Sequence, residues 1–186
     1  MVNRRNLIGF LISLPLAMFA RTKSIIGISM AKGFKVDAGE ARFGTHYKMK
    51  GVTLNNLDIK ISASDTDGQL SVFEQTGFTP NGGPPLHIHP YQDEWFYVLE
   101  GEYLFQVGDE KFGLKSGDTI FLPRQVPHAF IQRTEKAKVI VSYLPAGKME
   151  DFFKTTDQWT HPPTQEEIVK VFADHEMKVV GPPLKE

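Results

Sequence analysis

Two histidines, His87 and His89, stand one residue apart in the stretch "GGPPLHIHPYQDEWFYVLEG" (82–101), and Glu94 follows five residues later. A third histidine, His128, lies in "GDTIFLPRQVPHAFIQ" (117–132). Three neutral imidazoles and one carboxylate suit one divalent transition ion among Fe, Mn, Co, Ni, Cu and Zn. Calcium and magnesium prefer oxygen ligands and do not suit this set. The chain has no cysteine, which removes disulfides, thiol catalysis and thiolate-bound metals.

These four residues can share an ion only if the backbone aims them at one point. Residues two apart on a strand share a face, so His87 and His89 point the same way. Glu94 has the wrong parity for one straight strand, so "PYQD" (90–93) must break the extension, a role that suits Pro90. Beyond the break Glu94 faces inward with Phe96 and Val98, leaving Trp95, Tyr97 and Leu99 on the other side. His128 shares a face with Phe130 and Gln132. Two adjacent antiparallel ladders are expected to bring His87, His89, Glu94 and His128 together inside a barrel.

The surrounding pattern is all-β. Candidate strands lie at 57–63, 70–76, 94–100, 102–108, 111–115, 119–123, 128–134 and 138–144, with turn formers between them. Short strands at this spacing predict a sandwich or barrel, the jelly roll among them. The last 40 residues change character. "GKMEDFFKTT" (147–156) reads as a short helix and "TQEEIVKVFADHE" (164–176) as a better one. Thr164 and Glu167 fit a capping box, and Ile168, Val171 and Phe172 form one apolar stripe. Pro162 and Pro163 are expected to stop the chain before this helix and "GPP" (181–183) after it. The domain reading is therefore a β-barrel over 41–146 and C-terminal helices and tail packed on it over 147–186. Residues 21–40 read as a linker or arm.

Arg4 and Arg5 precede an uncharged run from Asn6 to Ala20 that is short for a membrane span and interrupted by Pro15. This pattern predicts a twin-arginine-like export signal over 1–20 and a periplasmic location. The alternative is a cytoplasmic protein with a buried or disordered N-terminal segment. A net charge of −1 with no basic run gives no basis for a nucleic-acid partner. His46, His161 and His175 match no motif and are expected at the surface. Asp93 is expected solvated in the turn. Trp95, Tyr97, Tyr103, Phe105, Tyr143 and Trp159 are expected to pack.

The two motif segments resemble those of the cupin superfamily. "HIHPYQDEWFYVLEG" fits a pattern of His-x-His, four residues, Glu, six residues and Gly; "GDTIFLPRQVPHAFIQ" fits the second motif, and fifteen residues separate Gly101 from Gly117. Asn81 replaces the glycine that usually opens the first motif, Gln125 the turn glycine of the second, and Gln132 its final asparagine. The resemblance implies a cupin jelly-roll barrel with a short C-terminal helical appendage. "MEDFF" and "VFADHEMKVVGPPL" further resemble quercetinase-like cupins.

That resemblance implies His87, His89, Glu94 and His128 as metal ligands, with Glu94 also the general base. Phe96, Val98 and Phe130 would line a substrate pocket. It implies a dioxygenase acting on a phenolic, flavonol-like small molecule with O2, and a homodimer. Two alternatives stay open. One is a metal-dependent isomerase or lyase on a sugar or keto acid, for which Arg124 and Arg133 are the nearby candidates for gripping an anion. The other is a non-catalytic cupin in which the ion only anchors a small molecule.

Overall fold

The computed structural model describes residues 32–51 and 54–186. The export-signal reading over 1–20, and most of the linker reading over 21–40, lie outside the described residues. Within the unit Gly33–Glu186 the chain forms eleven strands and two α-helices. In order these are β1 (His46–Met49), β2 (Asn55–Ile61), β3 (Ser71–Gly77), β4 (Pro85–Ile88), β5 (Asp93–Glu100) and β6 (Glu102–Val107). There follow β7 (Glu110–Lys115), β8 (Thr119–Leu122), β9 (His128–Gln132), β10 (Ala137–Leu144), α1 (Met149–Asp157), α2 (Gln165–Asp174) and β11 (Lys178–Pro183). A 3-10 turn at Ala63–Asp65 follows β2.

The strands make two antiparallel sheets in the orders β1-β2-β3-β10-β5-β8 and β11-β4-β9-β6-β7. This is a jelly-roll barrel carrying a C-terminal helical part. Alternation sets which side faces in. Along β3, Ser71, Phe73, Gln75 and Gly77 are buried while the residues between them are not. Phe73, Phe96, Phe105, Val139 and Val141 meet between the sheets in one apolar cluster. A smaller cluster of Leu104, Ala129, Ile131 and Leu184 lies elsewhere on the five-stranded sheet.

The helices begin as the sequence indicates. Thr164 accepts from the Glu167 backbone N–H, and the Glu167 carboxylate accepts from that of Thr164. α2 ends at Asp174, before "GPP", and those three residues lie within β11, a strand the sequence reading did not include, which pairs with β4. An edge strand tolerates proline, because no neighbour on its open side needs the missing N–H.

Two motif departures keep glycine-like geometry. Asn81 has φ +62° and Gln125 φ +67°, both left-handed. The turn before His128 thus holds its shape without glycine, and the Gln125 N–H donates to the His89 carbonyl at 2.9 Å. Gly83 is needed for a different reason. Asn81–Gly83 runs beside the end of β9, where the Asn81 N–H donates to the Gln132 carbonyl at 2.8 Å. A Cβ at Gly83 would overlap the Phe130 carbonyl oxygen. Gly83→Ala is expected to cost roughly 3 kcal/mol through this overlap, read as a lower denaturant midpoint with an unchanged slope.

Candidate metal centre

The four predicted donors come from both sheets. His87 on β4 lies directly across from His128 on β9. His89 follows the end of β4, and Glu94 projects from β5 in the facing sheet, where its neighbours are Tyr143 and Leu122. The expectation of two adjacent ladders is thus corrected: β5 pairs with β10 and β8, and the barrel interior closes the gap between the sheets. One donor atom from each residue lies within 4.8 Å of all the others. All four residues are at most 5% exposed.

Hydrogen bonds fix which nitrogen of each ring carries the proton. His87 Nδ1 lies 2.8 Å from the Pro85 carbonyl and His128 Nδ1 3.0 Å from the Val126 carbonyl. A carbonyl only accepts, so each Nδ1 is the donor, and in the neutral ring each Nε2 is left with the lone pair that can bind an ion. His89 Nδ1 lies 3.0 Å from Gln92 Oε1. The Gln92 amide is oriented by donating to the Pro145 and Ala146 carbonyls at 3.1 and 2.8 Å. Its oxygen therefore faces His89, and His89 Nε2 is bare as well.

Three lone pairs and a carboxylate then face one another in a dry interior. His128 Nε2 approaches Glu94 Oε2 to 3.0 Å and His89 Nε2 approaches it to 3.9 Å. His128 Nε2 nevertheless has no hydrogen-bond partner, because the direction of the close approach is wrong for one. A buried acceptor aimed at another acceptor is costly unless a cation lies between them. The donor set therefore fits one divalent transition ion, whose identity these ligand types leave open.

The protonation tendencies agree. Burial holds His87 well below the ordinary imidazole range, and the neighbouring His128 and His89 add to this. Burial likewise lowers His89, against the opposing pull of Glu94. Burial alone would raise Glu94; a hydrogen bond and positive charge from His128 and His89 in their protonated form, with the Tyr143 hydroxyl, draw the carboxyl low, and a bound cation would act in the same direction. Tyr143 is pushed well above its usual value, first by burial and then by the Glu94 charge.

The consequence for stability has a definite sign. In the metal-free protein His87 and His89 take up protons less readily folded than unfolded. Below the unfolded value of 6.5, the unfolded chain binds more protons, so stability falls as pH falls. Glu94 works in the same direction lower down: the stability it adds is lost as pH drops through its depressed folded value, below 4.5. Metal-free protein is expected to melt progressively lower as pH falls from ~7.5 to ~5. A melting temperature flat over that window would contradict the imidazole assignments.

Comparison with known proteins now identifies the scaffold. Residues 76–143 match the Cupin_2 family, described as a cupin domain. The barrel has the cupin fold. The match brackets β4, β5 and β9, which carry the donors. Quercetin 2,3-dioxygenase from Bacillus subtilis is 31% identical over 98 residues, covering 52% of this chain and 28% of that protein. An uncharacterized protein from Methanocaldococcus jannaschii is 46% identical over 43 residues, covering 23% of this chain and 34% of that protein. This chain thus aligns with only about a third of the length of these curated relatives.

Among solved structures, an RmlC-like cupin from Shewanella frigidimarina aligns with a TM-score of 0.51 at 21% identity, over 66% of this chain and 99% of that one. Pac13, a nucleoside dehydratase, aligns with a TM-score of 0.51 at 12% identity, over 82% of this chain and 95% of that one. At these identities the likeness shows the fold alone.

Above the donors the cupin barrel holds a cavity of about 40 Å3. Phe96 and Phe130 border it; Val98 does not. Val98 is fully buried one inward step further along β5, in the core beyond Phe96. Much of the remaining lining comes from places the motifs do not reach: Met49 of β1, Gln75 of β3, Met149, Phe152 and Phe153 of α1, Phe172 of α2, and Met177. Phe172 also sets its edge against His87, with centroids 5.2 Å apart and planes at 82°. Besides the imidazoles, Glu94 is the one ionisable group in the lining apart from the Tyr143 phenol.

Other expectations resolve individually. Asp93 is not a free turn residue: it opens β5 and accepts from the backbone and guanidinium of Arg124, which hold its carboxyl below the usual range. Arg133 pairs with Glu186. Neither arginine borders the cavity. His46 pairs with Asp58, His161 with Glu167, and His175 Nδ1 with the Val171 carbonyl, all away from the donors. Gln92 and Tyr143 belong to the site although neither lies at a ligand position of the motifs. Parity offered a signal for Tyr143, which alternates with buried Val141 and Val139. For Gln92 the only local hint is its position three residues after His89.

Proposed function

We propose that this cupin is a metal-dependent dioxygenase acting on a phenolic, flavonol-like small molecule with O2. The observation that carries the reading is the donor cluster opening into a lining of aromatic and thioether side chains without lysine or arginine. The similarity to the Bacillus subtilis quercetin 2,3-dioxygenase supports it.

Under this reading His87, His89 and His128 hold the ion through Nε2, and Glu94 completes the set. When bound, the ion supplies Lewis acidity at a substrate oxygen and, if redox-active, an electron path between substrate and O2. Glu94 is ionised in the resting site, so its carboxylate is free to take the phenolic proton. Tyr143 lies beside that carboxylate and stays protonated. The rings of Phe96, Phe130 and Phe152 exclude water and offer flat apolar surface to an aromatic ligand. Both atoms of O2 end in the oxidised product, so no external reductant enters.

The sugar or keto-acid alternative lacks an anion grip, since Arg124 and Arg133 are paired outside the cavity. One observation favours the non-catalytic alternative, the small size of the cavity. The test is turnover of a flavonol by metal-loaded protein in air and under argon. Oxygen uptake matched to flavonol loss supports the dioxygenase. Loss of substrate under argon supports proton-transfer chemistry. Full metal loading with turnover in neither case supports a binding protein. Export and homodimer formation are further parts of the reading. Recovery of cell-extracted protein with residues 1–20 intact would count against export, and a monomer mass in solution against the dimer.

A further inference from the structure

The three imidazoles are not anchored alike. His87 and His128 each donate to a backbone carbonyl two residues earlier in their own segment. His89 depends instead on a side chain, that of Gln92, which is 2% exposed. Gln92 in turn hangs from the Pro145 and Ala146 carbonyls. Those two residues lie between β10 and α1, and α1 supplies Met149, Phe152 and Phe153 to the cavity wall. Gly147, the next residue, has φ +53°, and a Cβ there would overlap the Gln92 amide. The amide therefore sits in a space that only glycine leaves open.

We propose that Gln92 is a positioning residue that fixes the His89 imidazole and couples it to the hinge of the helical cap. The proposal rests on the metal-site reading above. A cavity of about 40 Å3 admits an ion with a water or two, whereas small-molecule pockets run to roughly 300 Å3 or more. A phenolic ligand must therefore displace cap side chains. Movement of the first turn of α1 draws on the Pro145 and Ala146 carbonyls, and through Gln92 it reaches one ligand of the ion. His87 and His128, held by their own strands, do not feel it.

The experiment loads metal-free protein with cobalt(II). It measures the dissociation constant by competition with a chelator, the visible cobalt spectrum, and amide exchange in α1. Gln92→Leu removes both links and is expected to weaken cobalt binding about 10- to 100-fold, with an altered spectrum. Gly147→Ala, which displaces the amide without touching a ligand, is expected to shift affinity in the same direction. Gln92→Glu still accepts from His89 but cannot donate to the two carbonyls. It is expected to keep affinity close to wild type while amide exchange over residues 149–153 accelerates.

Wild-type affinity in Gln92→Leu overturns the proposal. So does Gln92→Glu binding as weakly as Gln92→Leu, or leaving α1 exchange unchanged. If wild-type protein takes up no cobalt at all, the metal reading itself fails and the coupling falls with it.

Discussion

Replacing His87 and His128 together with alanine is expected to abolish metal loading, taking purified protein from about one ion per chain to a background level. Each imidazole offers a bare Nε2 to the same point, so the double change leaves one nitrogen and one carboxylate, too few to hold a transition ion against solvent. The loss has a second readout. An ion present at ~1,000 times its dissociation constant adds about 4 kcal/mol of stability to the folded state. For a chain of this size that corresponds to roughly 10 °C in melting temperature. Wild-type protein should therefore melt lower after chelation, and the double variant should not respond to chelator. Unchanged metal content in the variant, by elemental analysis, would remove the basis for the site.

Glu94→Gln is expected to separate holding the ion from doing chemistry. Glutamine has nearly the same shape and keeps a neutral oxygen donor, so the variant should fold and still take up metal, though more weakly. It has no basic carboxylate to accept the phenolic proton. A positioned general base contributes about 10²- to 10⁴-fold to rate, and kcat should fall by that factor with metal content matched to wild type. The resting site favours this split. Glu94 is 4% exposed and stays ionised against its burial because protonated imidazoles or a bound cation, with the Tyr143 hydroxyl, hold it so. A variant that turns over within about ten-fold of wild type would transfer the base role elsewhere.

The sequence carried the donors and the barrel for related reasons. Strand parity is a local property, so the inward set Glu94, Phe96, Val98 could be read from β5 alone, and its alternating burial agrees. The motif spacing brought in His128. What escaped was the part fixed by packing across the fold. Parity says that Val98 faces inward, but not that the cavity stops at Phe96. The wall built by Met149, Phe152, Phe153 and Phe172 depends on where two helices dock, and their own apolar periodicity says only that they dock somewhere. Gln92 and Ala146 are 54 positions apart, a separation over which side-chain hydrogen bonds leave no local trace. "GPP" marks where a helix cannot run, which does not reveal that the same residues pair as an edge strand.

That last strand bears on how the centre is assembled. β11 brackets β4 on the side away from β9, with Val179 directly opposite His87. Lys178 comes 50 positions after His128. A chain growing from its N-terminus therefore presents all four donor side chains while the segment bearing His87 still has one flank open to solvent. β11 is the last strand to be synthesised, so the flank of β4 beside His87 is covered only when the C-terminal end of the chain pairs there.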